Sequence, residues 1–162
     1  MRATIRFRTF DSPFGEILAY GGEAGLRGLA FQRGRQAIRP DASWIESPRV
    51  SWLLETKRQL TAYFAGQRTA FDLPLDLRGT VFQLKMWRAL MRLPYGKTLS
   101  YSEMARRMRH PTAIRAVGAA NGANPISVIV PCHRLIGKNG SLVDYGGGLD
   151  IKRALLMLEG AI

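Results

Sequence analysis

Residues 100–134 read SYSEMARRMRHPTAIRAVGAANGANPISVIVPCHR, and this stretch decides most of the fold prediction. Ser100 and Glu103 have the spacing of a capping box, which predicts a short helix that ends near Met108. Residues 110–112 turn the chain, and residues 113–122 continue as a second helix. Two short helices joined by a tight turn have the dimensions of a helix-turn-helix. Taken alone, the pattern also fits a helical hairpin that binds no DNA.

The second predicted helix, residues 113–122, consists mostly of alanine and glycine. Ile114 and Val117 are its candidates for burial. A helix with such a smooth surface either packs tightly against a protein neighbour, which is the commoner case, or lies close to a narrow groove. Arg115 is the only charge on this helix. Spacing alone favours a solvated Arg115 side chain over one that enters a base stack.

Cys132 is the only cysteine of the chain, and it follows an apolar run, residues 126–130, that predicts a buried strand. A lone cysteine is usually an inert buried residue, whereas the end of a strand often presents reactive groups. His133 follows directly, and an imidazole base would compensate for a thiol whose ordinary pKa is about 8.5. Neighbours on a strand point to opposite faces, so His133 assists Cys132 only where the chain turns helically, through a bridging water. Glu159 is the candidate that orients the imidazole.

The first half of the chain is predicted to be rich in strands. Apolar and polar residues alternate from residue 2, and glycine-containing turns at 11–15 and 21–25 separate three strands up to residue 32. Residues 32–47 predict a polar loop, residues 48–65 a helix, and residues 66–79 a linker that contains proline and glycine. We therefore expect an N-terminal α/β domain over residues 1–75 and a C-terminal domain over residues 76–162.

The C-terminal domain is predicted to contain two further helices. Thr80 and Gln83 have the spacing of a capping box for a helix that stops before Pro94. Asp150 is the predicted cap of a final helix, residues 151–158, whose apolar residues share one face.

The composition is that of a globular protein that carries a strong positive charge. Of 162 residues, 46% are hydrophobic and 22% charged, which excludes disordered, collagen-like and coiled-coil classes. The net charge is +12, and residues 79–162 alone hold 12 basic and 4 acidic residues. A solvated basic face is the plain interpretation, but an excess of this size in half of a small chain favours a polyanion such as nucleic acid.

Several classes of protein and of site are disfavoured by simple counts. One cysteine excludes an intramolecular disulfide, and one cysteine with two histidines argues against a structural zinc site. No apolar run approaches the length of a transmembrane helix. The first residues, MRATIRFR, alternate like a strand and lack the apolar core of a signal peptide. We therefore expect a soluble cytoplasmic protein.

Several motifs in register resemble the O6-alkylguanine-DNA alkyltransferase family. They span about residues 80–160 and comprise SY at 100–101, RAVG at 115–118, NP at 124–125, PCHR at 131–134, YGGG at 145–148 and LEG at 158–160. DSPFG at 11–15 and YFAG at 63–66 extend the resemblance, more loosely, to the first half. The resemblance implies an α+β fold, with a small strand-rich, ribonuclease H-like N-terminal domain and a C-terminal winged helix-turn-helix domain that carries the active site.

The resemblance also implies the reaction of a methylated-DNA–[protein]-cysteine S-methyltransferase, a suicide repair protein. O6-alkylguanine, with O4-alkylthymine as a second candidate, would be flipped out of double-stranded DNA and lose its alkyl group irreversibly to Cys132. His133 would deprotonate Cys132 through water, Glu159 would hold the imidazole, and Tyr101 would donate to the base. No cofactor, metal, membrane or obligate protein partner is implied, and we expect a monomer, with cooperativity along DNA left open.

The same resemblance assigns a set of DNA- and base-binding residues. Arg115 would fill the gap left by the flipped base, Asn124 would tie the recognition helix to the active-site segment, and Tyr145 with the backbone of Gly146 would line the pocket. Arg134 and Leu135 complete the set. Two departures from the family pattern concern this pocket: Gly146 stands where some relatives have serine, which removes a hydroxyl contact with the substrate oxygen, and Leu135 replaces a more frequent valine.

Other classes of protein fit parts of the sequence. A DNA-binding sensor on the same scaffold would lack the acceptor cysteine, whereas Cys132 is present. A Cys-His-Glu hydrolase would turn over and would need no basic helix-turn-helix. A buried structural cysteine in an unrelated DNA-binding domain would require every motif match to be a coincidence.

Overall fold

The N-terminal part of the computed structural model, which describes residues 3–162, is a four-stranded sheet covered by one helix. Strands β1 (Arg6–Ser12), β2 (Gly15–Gly22) and β3 (Gly25–Phe31) form an antiparallel meander, which confirms the three predicted strands. Residue 2, where the first strand was predicted to begin, lies outside the described residues. Helix α1 (Ser51–Phe64) buries Leu53, Leu60 and Tyr63.

The predicted polar loop over residues 32–47 contains more structure than expected. It includes a 3₁₀ turn (Gly34–Gln36) and a two-residue strand, β4 (Ile45–Glu46), which is parallel to β1. The Ile45 amide donates to Ile5 O at 2.9 Å and the Ser47 amide to Phe7 O at 2.8 Å. A pairing this short leaves no alternating pattern in the sequence, because alternation needs about four residues to become visible.

The segment predicted as a linker, residues 66–79, is bound to the sheet. The Leu26 amide donates to Pro74 O at 2.9 Å, and the Asp76 amide donates to Leu26 O at 2.8 Å. Arg27 Nε lies 3.0 Å from Asp76 Oδ2. This pairing satisfies backbone hydrogen-bonding groups on the free edge of β3. It also fixes the place from which the second part of the chain begins.

The C-terminal part is built from four helices and a small two-stranded sheet. The helices are α2 (Val81–Met91), α3 (Tyr101–Arg107), α4 (Ile114–Gly122) and α5 (Leu149–Leu158), and the parallel strands are β5 (Leu99–Ser100) and β6 (Leu135–Ile136). The α3–turn–α4 unit lies where the helix-turn-helix was predicted, and the mixture of sheet and helices confirms the α+β class. Among the helices of residues 3–162, none is both long and apolar enough to cross a membrane.

The helix caps agree with the sequence in part. At Thr80 both bonds of the capping box are present, from Gln83 N to Thr80 Oγ1 at 3.1 Å and from Thr80 N to Gln83 Oε1 at 2.9 Å. Ser100 caps α3 by accepting from Glu103 N, but the Glu103 carboxylate accepts from the Ser100 hydroxyl, so the box is half formed. Asp150 was wrongly predicted as the cap of α5: the cap is Gly148, and Asp150 pairs with Arg33.

Residues 126–130 are buried, as predicted, but they do not form a strand. Only Ile126 pairs, in a single bridge with Leu29, and Val128 has a φ of +71°. The Asn124 side chain accepts from Ile126 N at 3.0 Å and donates to Val130 O at 2.7 Å, so it satisfies backbone groups that a strand would pair elsewhere. Cys132 therefore begins a 3₁₀ turn (Cys132–Arg134) instead of following a strand.

We expect Gly25→Ala to destabilise the protein far more than Gly15→Ala. Both glycines have positive φ, +128° and +98°, so either alanine costs about 1–2 kcal/mol in backbone strain. A Cβ at Gly25 would lie 2.4 Å from Pro74 O, whereas a Cβ at Gly15 would have no atom of residues 3–162 within 4 Å beyond its two chain neighbours. The clash adds about 1–3 kcal/mol because the rigid 74–76 pairing must move. Equal losses of unfolding free energy in urea would show that residues 74–76 move aside without cost, and would contradict the prediction.

Candidate active site

Cys132 lies at a small cavity between the two parts of the chain. The cavity has a volume of about 70 Å³, and its lining includes Gln36 from the N-terminal part and Cys132, Tyr145 and Gly146 from the C-terminal part. Two ion pairs cross the same boundary, Arg35 with Asp144 and Arg33 with Asp150. Residues far apart in the sequence therefore form one site.

The Cys132 side chain is almost completely buried. Its residue is 6% exposed, and this burial raises the pKa of the thiol, although the Asn124 side chain and the nearby Lys152 charge act in the opposite direction. Asn121 Nδ2 donates to Cys132 O at 3.2 Å, which fixes the turn against α4. A buried thiol with a raised pKa needs a base before it can act as a nucleophile.

His133 is directed at Glu159 in the protein interior. His133 Nε2 lies 2.7 Å from Glu159 Oε2, and both side chains are fully buried. Burial lowers the pKa of His133 in spite of the neighbouring carboxylate, so the imidazole is neutral near pH 7. An ionised Glu159 requires the proton on Nε2, which leaves Nδ1 as the acceptor nitrogen. Nδ1 has no hydrogen-bond partner among residues 3–162.

Glu159 accepts hydrogen bonds from several elements at once. Arg134 donates through Nε at 2.8 Å and Nη2 at 3.1 Å, the Tyr63 hydroxyl donates at 2.5 Å, and Gly96 N donates at 3.3 Å. Burial by itself would raise the pKa of Glu159, but the bonds from His133, Arg134 and Tyr63 outweigh it and hold that pKa well below its ordinary value. Glu159 is therefore ionised at every pH at which the protein is expected to act.

Arg134 and Leu135, which the resemblance assigned to base binding, both lie in the protein interior. All three Arg134 side-chain nitrogens donate within the protein, two to Glu159 and Nη1 to Leu93 O at 2.6 Å. Leu135 is completely buried and pairs with Leu99 in the small sheet. Both predictions came from the resemblance, and a 3₁₀ turn points successive side chains in different directions, so residues next to Cys132 in the sequence do not share its surroundings.

The remaining predicted residues surround the cavity or bind its loop. The Tyr101 hydroxyl donates to Val143 O at 3.2 Å, and burial raises the pKa of Tyr101 to about 12. Tyr145 is buried beside Gly146 in the cavity lining. Asn124 also lines the cavity, and its two bonds to the 126–130 segment place the end of α4 against the Cys132 turn.

The sequence analysis did not identify two residues that contact this site. Tyr63 was noted only within the YFAG motif, and its bond to Glu159 spans 96 positions of the chain. Lys152 is completely buried, and its Nζ donates to Val143 O at 2.8 Å and Asp144 O at 3.3 Å. Both acceptors lie in the cavity loop, residues 137–148 between β6 and α5. Burial lowers the pKa of Lys152 to about 8. The only sequence signal for the burial of Lys152 is its position next to the apolar Ile151. This signal is weak, because lysine is seldom buried.

A surface with the character of a DNA-binding face lies on α4 and the preceding turn. Arg115 is exposed, and so are Ala116 and Ala119. A Cβ at Gly118 would have no atom of residues 3–162 within 4 Å apart from its chain neighbours and the backbone of its own helix. Ile114 was predicted to be buried, but it is 44% exposed and extends this smooth face. Exposed arginines precede α4 at positions 106, 107 and 109, and none of them forms an ion pair within residues 3–162.

Family models match almost the whole chain. The model described as the 6-O-methylguanine DNA methyltransferase DNA binding domain matches residues 81–161, and the ribonuclease-like domain of the same methyltransferase matches residues 5–77. A methylated-DNA–protein-cysteine methyltransferase from Methanosarcina acetivorans is 48% identical over 155 residues, which are 96% of this chain and 98% of that protein. The protein of that name from Mycobacterium tuberculosis is 49% identical over 156 residues, 96% of this chain and 92% of that protein.

Solved structures agree with these matches. The Mycobacterium tuberculosis OGT crystal structure in complex with DNA is 47% identical, covers 96% of this chain and 93% of that chain, and has a TM-score of 0.88. The O6-methylguanine-DNA methyltransferase from Pyrococcus kodakaraensis is 19% identical, covers 97% of this chain and 99% of that chain, and shares the fold with a TM-score of 0.56. On its sequence and its fold, this chain belongs to the 6-O-methylguanine DNA methyltransferase family.

Proposed function

We propose that this protein repairs O6-alkylguanine in double-stranded DNA by transferring the alkyl group to its own Cys132, once per molecule. The observation that carries the proposal is the buried Glu159–His133 pair next to Cys132. Cys132 lines a cavity and lies in the same part of the chain as an exposed, basic helix-turn-helix. The relatives at 48–49% identity are named for transfer from methylated DNA to a protein cysteine.

The proposed chemistry replaces the hydrogen of the thiol by the alkyl group of the base. The Cys132 sulfur attacks the alkyl carbon, an S–C bond forms, and the bond between that carbon and O6 breaks with its electron pair on O6. The thiol proton leaves for His133 Nδ1, directly or through water, and the departing guanine takes up one proton. The net products are alkylated Cys132 and unmodified guanine, and the thioether has no route back to a thiol.

The hydrogen-bond network supports this direction of proton transfer. Glu159 stays ionised because its donors lower its pKa, so it keeps the His133 proton on Nε2 and leaves Nδ1 free to accept. Glu159 also stabilises the imidazolium that forms when Nδ1 takes the proton. Lys152 below its pKa of about 8 places a positive charge near Cys132, which favours the thiolate.

The alkylated base can reach Cys132 only after the base has left the duplex. We propose that Arg115, which projects from the exposed face of α4, fills the gap in the stack, while Tyr101 and Tyr145 contact the flipped base. The small residues of α4 would allow the helix to lie in the minor groove. O4-alkylthymine carries its alkyl group on an exocyclic oxygen too, which makes it the second candidate substrate.

The proposed setting is a cytoplasmic monomer with two domains. A single thiol nucleophile requires a reducing compartment, which supports the cytoplasm. The two family models end at residue 77 and begin at residue 81, which supports a division of the chain into residues 1–75 and 76–162. One helix-turn-helix per chain supports a monomer as the active unit, with no obligate protein partner.

We expect Cys132→Ala to abolish alkyl transfer and to retain binding to duplex DNA, because the binding surface lies on α4 and not at the thiol. Intact-protein mass spectrometry after mixing with a duplex that carries O6-methylguanine measures transfer, and fluorescence anisotropy measures binding. The wild type should gain one methyl group and then stop. Continued turnover would indicate a hydrolase, and tight binding without any gain would indicate a sensor.

Replacing Arg115 by alanine should slow repair of duplex DNA by about tenfold or more and leave the reaction with free O6-alkylguanine base almost unchanged. Unstacking a base from duplex DNA costs a few kcal/mol, and a side chain that fills the gap offsets part of that cost. A free base is not stacked in a duplex, so the side chain has nothing to offset there. Arg49→Ala removes an exposed arginine from the N-terminal part and is the charge-matched control. Equal slowing with duplex and free base, or equal slowing in the control, would contradict the role of Arg115.

Tyr63→Phe should move the acid limb of the pH–rate profile to higher pH. The imidazole is neutral near pH 7 because the pKa of His133 is lowered, so the single-turnover rate stays constant there and falls only when acid protonates His133. Without the Tyr63 donor, the Glu159 charge acts more strongly on His133 and raises its pKa. Tyr95→Phe, which removes a hydroxyl bonded to Leu158 O at 3.2 Å, is the matched control. An unmoved acid limb, or the same shift in the control, would contradict the network.

A further inference from the structure

Within residues 3–162, Gln36 is one of two residues of the N-terminal part that line the Cys132 cavity, the other being Arg35. Gln36 ends the 3₁₀ turn Gly34–Gln36 and lines the cavity together with Cys132, Tyr145 and Gly146. The motif comparison in the sequence gave it no role, because it lies in the stretch predicted as a polar loop.

Two hydrogen bonds fix the orientation of the Gln36 side-chain amide. Gln36 Oε1 accepts from Phe31 N at 3.0 Å and from the Ser127 hydroxyl at 3.1 Å. A backbone N–H can only donate, so the atom that faces Phe31 must be the oxygen, and the amide nitrogen must face the other way. The amide is thus anchored from both parts of the chain, by β3 and by the segment that precedes Cys132.

The free end of the amide occupies the space beside Gly146. A Cβ built on Gly146 would lie 2.8 Å from Gln36 Nε2 and 3.1 Å from Gln36 Cβ. Real Cβ atoms essentially never come within 3.0 Å of another atom, so a side chain at position 146 would displace the Gln36 amide and strain its two hydrogen bonds. The absence of a hydroxyl at position 146, where some members of the family carry serine, therefore coincides with the presence of an amide N–H₂ in the same volume.

We propose that Gln36 is a further substrate-positioning residue, whose Nε2 donates a hydrogen bond to the oxygen that loses its alkyl group. The proposal rests on the proposed function. As the bond between that oxygen and the alkyl carbon breaks, negative charge develops on the oxygen, and a donor fixed in advance stabilises this charge more than it stabilises the bound substrate. Gln36 thus supplies, from the other part of the chain, a side-chain donor in place of the hydroxyl that position 146 lacks.

The test compares single-turnover methyl transfer from O6-methylguanine duplex in matched variants. Gln36→Ala and the isosteric Gln36→Glu, which removes the donor, should both slow transfer by about 10- to 100-fold, the lower part of the range for loss of one preorganised donor. Gln32→Ala is the control, because Gln32 holds the same loop through Ile38 at 2.7 Å and 2.8 Å but is not among the cavity-lining residues. It should react at nearly the wild-type rate.

A double variant tests the exclusion of the two side chains. Gly146→Ser alone should slow transfer, because its Cβ collides with Gln36. Gln36→Ala combined with Gly146→Ser should recover at least a tenfold part of the rate lost in Gln36→Ala, since the serine hydroxyl then enters the vacated volume. A double variant no faster than Gln36→Ala, or a Gly146→Ser variant as fast as the wild type, would overturn the proposal.

A second reagent separates a role at the base from a structural role. Iodoacetamide alkylates a cysteine with iodide as the leaving group, so the reaction involves neither a nucleobase nor a departing oxygen. Gln36→Ala should therefore react with iodoacetamide at the wild-type rate. Equal slowing with iodoacetamide and with DNA would show that the variant merely disturbs the cavity, and would overturn the proposal. If the wild type transfers methyl groups and the Gln36 variants match it, this inference alone fails; if the wild type transfers none, the proposed function fails.

Discussion

The Glu159 carboxylate is a negative charge without access to water, and such a charge persists in a protein only when hydrogen bonds replace its hydration. Its donors come from three places in the sequence: Tyr63 on α1, Gly96 in the loop after α2, and His133 with Arg134 in the 3₁₀ turn. These elements must converge before the charge is stable. The requirement therefore links the N-terminal sheet and helix to the C-terminal helices, and it places the turn that carries Cys132.

The same requirement determines which His133 atom is available for chemistry. With Nε2 committed to the carboxylate, only Nδ1 can accept a proton, and the lowered pKa of His133 keeps it unprotonated near pH 7. Burial raises the pKa of Cys132, so the thiol stays in its protonated, less reactive form until a substrate is bound. A suicide acceptor gains from this arrangement, because a thiolate exposed to water would be consumed by other electrophiles.

Local signals in the sequence predicted the elements that depend on neighbours in the chain. The Thr80 capping box and the three N-terminal strands are of this kind, and they were confirmed. The strand prediction for residues 126–130 was wrong because apolar composition reports burial, while the conformation was decided by the Asn124 side chain. The resemblance singled out Cys132, His133 and Glu159, and the structure pairs His133 with Glu159 beside the Cys132 turn. The same resemblance gave Arg134 a base-binding role, whereas its side-chain nitrogens donate within the protein. Nothing local marks Tyr63 or Lys152. Their partners lie in elements that only the folded chain brings together.

The N-terminal part contributes to the site from two directions, which argues against its being a passive appendage. Tyr63 donates a hydrogen bond to Glu159, which pairs with His133, and the 3₁₀ turn that ends at Gln36 lines the Cys132 cavity. The Arg35–Asp144 and Arg33–Asp150 pairs join that turn to the cavity loop and to α5. A movement between the two parts would therefore alter the Glu159–His133 pair, the cavity wall and the cavity loop together. The reaction at Cys132 therefore depends on the boundary between the two parts, although the sequence motifs that predict it lie in the C-terminal part.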